Sequence, residues 1–106
     1  MSQSQNHRDV HRVPHKVYAR FGTAYPEYKG EVVNLSPGGL LIQSGTVFPV
    51  NTLLVIELHF PGNKKTFVRG EVVRTPSEDP ETGGMGISLT TVSEDYLTYL
   101  QSFYIV

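Results

Sequence analysis

From residue 16 onwards apolar and polar positions alternate in short runs, the two-residue period of half-buried strands. The first run, KVYARFG, places Val17, Ala19 and Phe21 on one face. YKGEVVNL and GLLIQSG lie on either side of the polar hexapeptide NLSPGG, Asn34 to Gly39. NTLLVIELHF alternates at Leu54, Ile56 and Leu58, with Leu53 and Val55 opposite, and KTFVRGEVVR and GGMGISLT follow. Turn signals separate the runs at Tyr25-Pro26, Phe48-Pro49, Pro61-Gly62-Asn63 and TPSEDPETGG. About six short strands punctuated in this way predict an all-β domain, a small barrel or a sandwich.

The period changes at the end of the chain. In SEDYLTYLQSFYIV, Ser93 reads as an N-cap, and Glu94 and Asp95 sit near the positive end of a helix dipole. Tyr96, Leu97, Leu100, Phe103 and Tyr104 then share one helical face. A helix from about Ser93 to Tyr104 should lay that face on the strands, closing an open end. The other Tyr and Phe residues read mostly as core by their alternation. Tyr99 and the terminal FYIV offer a partner surface instead.

A chain of 106 residues holds one core and no second domain. Residues 1–15 are polar and lack a period, which predicts a flexible N-terminal arm ahead of a folded unit over residues 16–106. Pro14 disfavours helical geometry at Val13, so no helix is expected to run through the arm. The absence of cysteine excludes disulfides and thiolate metal sites and fits a reducing compartment. No long apolar stretch and no signal-peptide core occur, so the expectation is a cytoplasmic protein with no membrane insertion.

Charge divides the chain. Residues 1–20 hold four Lys or Arg against one acid, a net +3, and residues 21–106 hold five against nine, a net −4. A local cationic arm on a mildly acidic body suits a small anion better than DNA or RNA, whose binders spread basic charge across a face.

Two constellations carry candidate chemistry. Ser36-Pro37-Gly38-Gly39 fits a type II turn, with Pro presetting φ and Gly38 supplying a positive φ. That accounts for Pro37 and Gly38 but leaves Asn34 unexplained. Such a turn splays its strands, leaving Asn34 and Ser36 to offer polar groups and Gly39 to let a flat ring approach. In the arm, Arg8 and Arg12 stand four residues apart. Each guanidinium can grip a phosphate or the O6/N7 edge of guanine with two hydrogen bonds, or stack on a base.

Taken together, RDVHR (Arg8 to Arg12), NLSPGG, the strand FVRGEVVR and the strand GGMGISL make the chain resemble the PilZ family over about residues 7–104. The resemblance implies a six-stranded antiparallel β-barrel with one C-terminal α-helix, receiving the bacterial second messenger cyclic di-GMP. It implies that Arg8 and Arg12 hold guanine edges and phosphates, that Asn34 and Ser36 meet a guanine, and that Gly39 permits its approach. His7, where many members carry a further arginine, and Arg74 are possible additions to the site. In the family the position of His7 is linked to whether one nucleotide or a stacked pair binds. Asn34 stands where many members carry Asp and brings no charge to the guanine N1–H and N2–H donors.

Other features read as structural. His7, His11 and His15 repeat at four, but Pro14 interrupts the helix that would gather them, so no metal is expected. His59 reads as a surface strand residue, and Arg69 as a solvated one. Ser36 lacks the G-x-S-x-G context of a nucleophile, and GGMG leads into a strand where a phosphate loop would lead into a helix. No acid–base pair converges, so no enzyme, catalytic residue or cofactor is expected. The leading functional expectation is a stand-alone receptor that relays cyclic di-GMP to an effector protein by ordering the arm. The alternative is a PilZ-like protein-interaction scaffold, related to pili or motility, that binds no nucleotide.

Overall fold

The computed structural model describes residues 17–76 and 83–102. Six strands appear in chain order: β1 (Val17–Gly22), β2 (Tyr28–Ser36), β3 (Gly39–Gln43), β4 (Leu53–Phe60), β5 (Lys64–Arg74) and β6 (Met85–Thr91). They close into a barrel in the spatial order β1-β2-β3-β6-β5-β4, and every neighbouring pair is antiparallel. One helix, α1 (Glu94–Gln101), follows. Closure leaves no unpaired strand edge.

The alternation seen in the sequence sets the inside of the barrel. Val17, Ala19 and Phe21 of β1 and Leu54, Ile56 and Leu58 of β4 are buried, as are Ile42, Val68, Val72 and Ile87 from the remaining wall. Leu53, at the start of β4, faces out at 65 % exposure. The β4–β5 turn uses positive φ at Gly62 and Asn63, residue types that tolerate it. Alternation assigns too many aromatic rings to the core. Phe21, Phe60 and Tyr96 are buried, whereas Tyr18, Tyr25, Tyr28 and Phe67 are exposed. Tyr18 packs edge-on against His59, which also lies 3.0 Å from Glu57 Oε1.

Helix α1 begins as its sequence requires. The Ser93 side chain accepts a hydrogen bond from the Tyr96 backbone N–H, and Ser93 is extended at φ −92° and ψ 161°. Its hydroxyl also meets the buried Thr66 hydroxyl of β5. Tyr96 and Leu100 enter the core. Leu97, expected on the same face, is exposed instead, because the contact with the barrel is a narrow stripe at i and i+4. The expectations for Phe103, Tyr104 and the rest of FYIV fall outside the described residues. Tyr99 is no free partner surface: its ring stacks on Phe60 at 4.0 Å and 13°. Burial raises the Tyr99 phenol above its ordinary pKa, so the stack carries no charge near neutrality.

This packing predicts a clear contrast between two leucines one turn apart. Leu100→Ala removes a buried side chain and should cost about 2–5 kcal/mol in urea or thermal unfolding. Leu97→Ala should stay within about 0.5 kcal/mol of the parent. Equal losses at both positions would contradict the stripe.

Candidate functional site: a glycine-floored cleft on the barrel wall

The outer face of β2-β3-β6-β5 carries a depression of about 300 Å³, lined by Asn34, Ser36, Gly39, Leu41, Arg74 and Gly86 among others. Its geometry follows from strand register. Asn34 of β2 faces Leu41 of β3, Leu41 faces Gly86 of β6, and Gly86 faces Arg74 of β5. These four positions form one row across four strands. At the usual strand spacing its ends lie about 14 Å apart. The next row runs Ser36, Gly39, Ser88, Glu71. Glycine thus forms part of the floor in both rows, and polar side chains stand at both sides.

Bulges bring the polar residues to this face. In β2 the pairing slips between Val32 and Asn34, leaving Val33 as an extra residue. Strict alternation would send Val32 and Asn34 inward together and Leu35 outward. With the bulge, Val32 and Leu35 are both buried and Asn34 lines the outer cleft. The same slip occurs in β5 between Val72 and Arg74, so Val72 is buried, Val73 is the extra residue and Arg74 faces the cleft. The two bulged segments share a local sequence, Gly-Glu-Val-Val at 30–33 and at 70–73. Each then places a hydrogen-bonding residue on the cleft. That repeat is the sequence signal for the second wall, and it passes unnoticed when strands are read one at a time.

The motif turn differs from the expected type II form. Among the described glycines only Gly62 and Gly83 have positive φ, so Gly38 does not supply it. The opening beside the turn comes from the Val33 bulge and not from a type II corner. Gly39 has a structural reason as well as a possible ligand role: a Cβ there would lie 2.9 Å from the Ile87 carbonyl oxygen. Nothing lies within 4 Å of a Cβ at Gly38. The Gly38 carbonyl accepts from the Leu89 N–H at 2.9 Å, which ties the turn to β6.

The polar inventory of the cleft is uneven. Asn34 Oδ1 is buried and has no hydrogen-bond partner among the described residues. Ser36 Oγ donates weakly to the Gly39 carbonyl at 3.3 Å, which leaves its lone pairs open to a donor. Arg74 is exposed at its own position, and its guanidinium lies over Gly86, where a Cβ would come within 3.1 Å of Nε. One wall therefore presents acceptors and the other a planar cluster of donors. Arg69 does not line the cleft. Arg8, Arg12 and His7 lie outside the described residues. A second depression of about 530 Å³, lined by Phe60, Lys64, Lys65, Tyr99 and neighbours, lies between the β4–β5 turn and α1 and includes none of the motif residues.

The architecture is thus a six-stranded antiparallel barrel with a helix packed on it and a glycine-floored cleft on its wall. The family model of the PilZ domain matches residues 3–105, and the chain belongs to the PilZ domain family. Solved structures that share the fold include the following two. The inhibitor of motility MotI/DgrA from Bacillus subtilis aligns with a TM-score of 0.66 at 17 % identity, covering 88 % of this chain and 47 % of that one. This chain spans about half the length of that neighbour. The PilZ domain of CeSA from a cellulose-synthesizing bacterium aligns with a TM-score of 0.62 at 15 % identity, covering 89 % of this chain and 94 % of that one. Comparison with curated proteins returned no match. Among the described residues, no helix is long and apolar enough to cross a membrane.

The two adjacent glycines of the turn should respond in opposite ways. Gly38→Ala meets open space without a positive φ and should be neutral or stabilise by about 0.4–1 kcal/mol. Gly39→Ala presses on the backbone of β6 and should destabilise by about 1–3 kcal/mol. Thermal melts of the two variants decide the matter, and a stable Gly39→Ala would show that this glycine answers to a ligand alone.

Proposed function

We propose that this chain is a non-catalytic cytoplasmic receptor for cyclic di-GMP that seats one guanine in the cleft between Asn34 and Arg74. The observation that carries the reading is the buried Asn34 Oδ1, an acceptor without a partner among the described residues, at the edge of an open cleft. A buried acceptor left unpaired costs about 1–3 kcal/mol. The Watson–Crick edge of guanine carries the N1–H and N2–H donors that would satisfy it, with Ser36 Oγ as a second acceptor. The glycine floor suits a flat ring. Arg74 on the opposite wall supplies donors for O6 and N7 or for a phosphate oxygen.

Membership of the family supports cyclic di-GMP as the ligand. In this reading Arg8 and Arg12 grip the remaining guanine edge and the phosphates from the arm, and His7 sits at the margin of the site. Binding holds the arm against the barrel and changes the surface offered to an effector protein. The neighbour MotI/DgrA is described as an inhibitor of motility. An effector in such a system is consistent with a chain that acts through another protein.

Isothermal titration of the whole chain with cyclic di-GMP tests the reading. Asn34→Ala, Ser36→Ala, Arg8→Lys and Arg12→Lys should each weaken binding with the fold intact. An arginine that grips guanine bidentately contributes about 1–3 kcal/mol, roughly ten- to a hundredfold in affinity, and lysine keeps the charge while losing the fork. No heat with micromolar nucleotide would remove the receptor reading and leave the protein-interaction scaffold. The relay has its own measurement: amide exchange over residues 1–14 should slow when nucleotide is added, and unchanged exchange would leave binding without an arm switch.

A further inference from the structure

Helix α1 reaches the motif turn through the Tyr96 hydroxyl, which belongs to no binding motif. Tyr96 is fully buried, yet its hydroxyl donates to the Ser36 carbonyl oxygen at 2.6 Å and approaches the Gly39 carbonyl at 3.5 Å. Ser36 and Gly39 are the two residues that close the turn. The Ser36 carbonyl belongs to the peptide bond to Pro37, so fixing that oxygen fixes the plane from which the turn departs. Ser36 Oγ, on the same residue, faces the cleft side and leans on the Gly39 carbonyl. The tyrosine thus holds the backbone of a residue whose side chain belongs to the candidate site.

The other end of this tyrosine is equally well tied. Its backbone N–H is capped by Ser93 Oγ, and Ser93 Oγ meets the Thr66 hydroxyl of β5. A chain of polar contacts therefore runs from β5 through the first turn of α1 to the turn between β2 and β3. The ring between its two polar ends is packed in the core, so Tyr96 has little freedom to release one end alone.

We propose that Tyr96 is a positioning residue for the dinucleotide site, coupling the docking of α1 to the geometry of the Ser36–Gly39 turn. This rests on the reading of the cleft as the ligand site. A turn held by Tyr96 presents Ser36 Oγ and Asn34 Oδ1 at a fixed spacing, and loss of the anchor lets that spacing vary. Coupling of this kind is reciprocal: ligand seated on the turn strengthens the docking of α1 by the same factor that the anchor strengthens binding. The helix carries exposed Leu97, so its docking is a property that a partner on that face can read.

Tyr96→Phe keeps the ring in the core and deletes the anchoring hydroxyl. Three measurements decide the proposal. In nucleotide-free protein the amide resonances of Gly38 and Gly39, and the exchange rate of the Leu89 amide bound to Gly38, should change in the variant. On titration with cyclic di-GMP the variant should bind about five- to tenfold more weakly. Nucleotide should slow exchange of the Leu97 and Ser102 amides in the parent and not in the variant. Ile56→Val serves as the control, a core change on β4 away from the site that lowers stability but should leave affinity within twofold. A variant with parental affinity and parental turn resonances overturns the proposal. So does a control that loses affinity as Tyr96→Phe does, because stability alone would then explain the effect. Should the parent bind no nucleotide, the site reading fails and the affinity claim falls with it, while the nucleotide-free resonances still decide whether Tyr96 sets the turn.

Discussion

The cleft depends on one pairing, Leu41 of β3 opposite Gly86 of β6. That pair joins the first three strands to the last three on one side of the barrel, as β1 and β4 join them on the other. β3 is only five residues long, and its register is held by Leu40 and Ile42 pointing inward. A slip of one residue would turn both into solvent and bring Leu41 and Gly39 inside, so the register is strongly fixed by burial. Once Leu41 faces Gly86, Asn34 and Arg74 are carried to opposite ends of the same row. The glycine at position 86 leaves room for the Arg74 side chain, since a Cβ there would lie 3.1 Å from Nε.

Much of this architecture was legible in the sequence, for a physical reason. A barrel wall with one wet face imposes a period of two, and Val17, Ala19 and Phe21 or Leu54, Ile56 and Leu58 show it plainly. Ser93 announced the helix because the first N–H groups of any helix need a capping acceptor. What stayed hidden were the departures from the period. The bulge at Val33 was written as an apolar pair before a polar residue, but a Val-Val step reads equally well as continuous core. Pro-Gly favours a type II turn, but the connection between β2 and β3 closes without a positive φ at Gly38. Leu97 was placed inside by a helical face wider than the barrel end accepts.

Tyr96 was legible as core and illegible as a contact. An aromatic residue on the buried face of an amphipathic helix is expected to fill volume, and its hydroxyl must then find a partner. Which carbonyl it finds depends on how the helix crosses the barrel, and no local pattern encodes that. The partner is the Ser36 carbonyl, within the one turn that the sequence singled out for other reasons.

Whether NLSPGG is a turn or a site can now be argued residue by residue. Pro37 is explained by the turn, whereas Gly38 has neither a positive φ nor a close neighbour that would require a glycine. Gly39 is explained by the approach of the β6 backbone, and the Ser36 carbonyl by the helix. Asn34 is the polar side chain that the fold does not explain. Its bulge directs it outward, its Oδ1 is removed from water, and no described group pairs with it. A valine or isoleucine at this half-buried strand position would avoid an unpaired acceptor and would have higher strand propensity. That unpaired acceptor is the observation on which the proposed receptor role rests. Asparagine also has a chemical merit over the aspartate common in the family. It stays neutral in a half-buried setting and so avoids the desolvation cost of a carboxylate there.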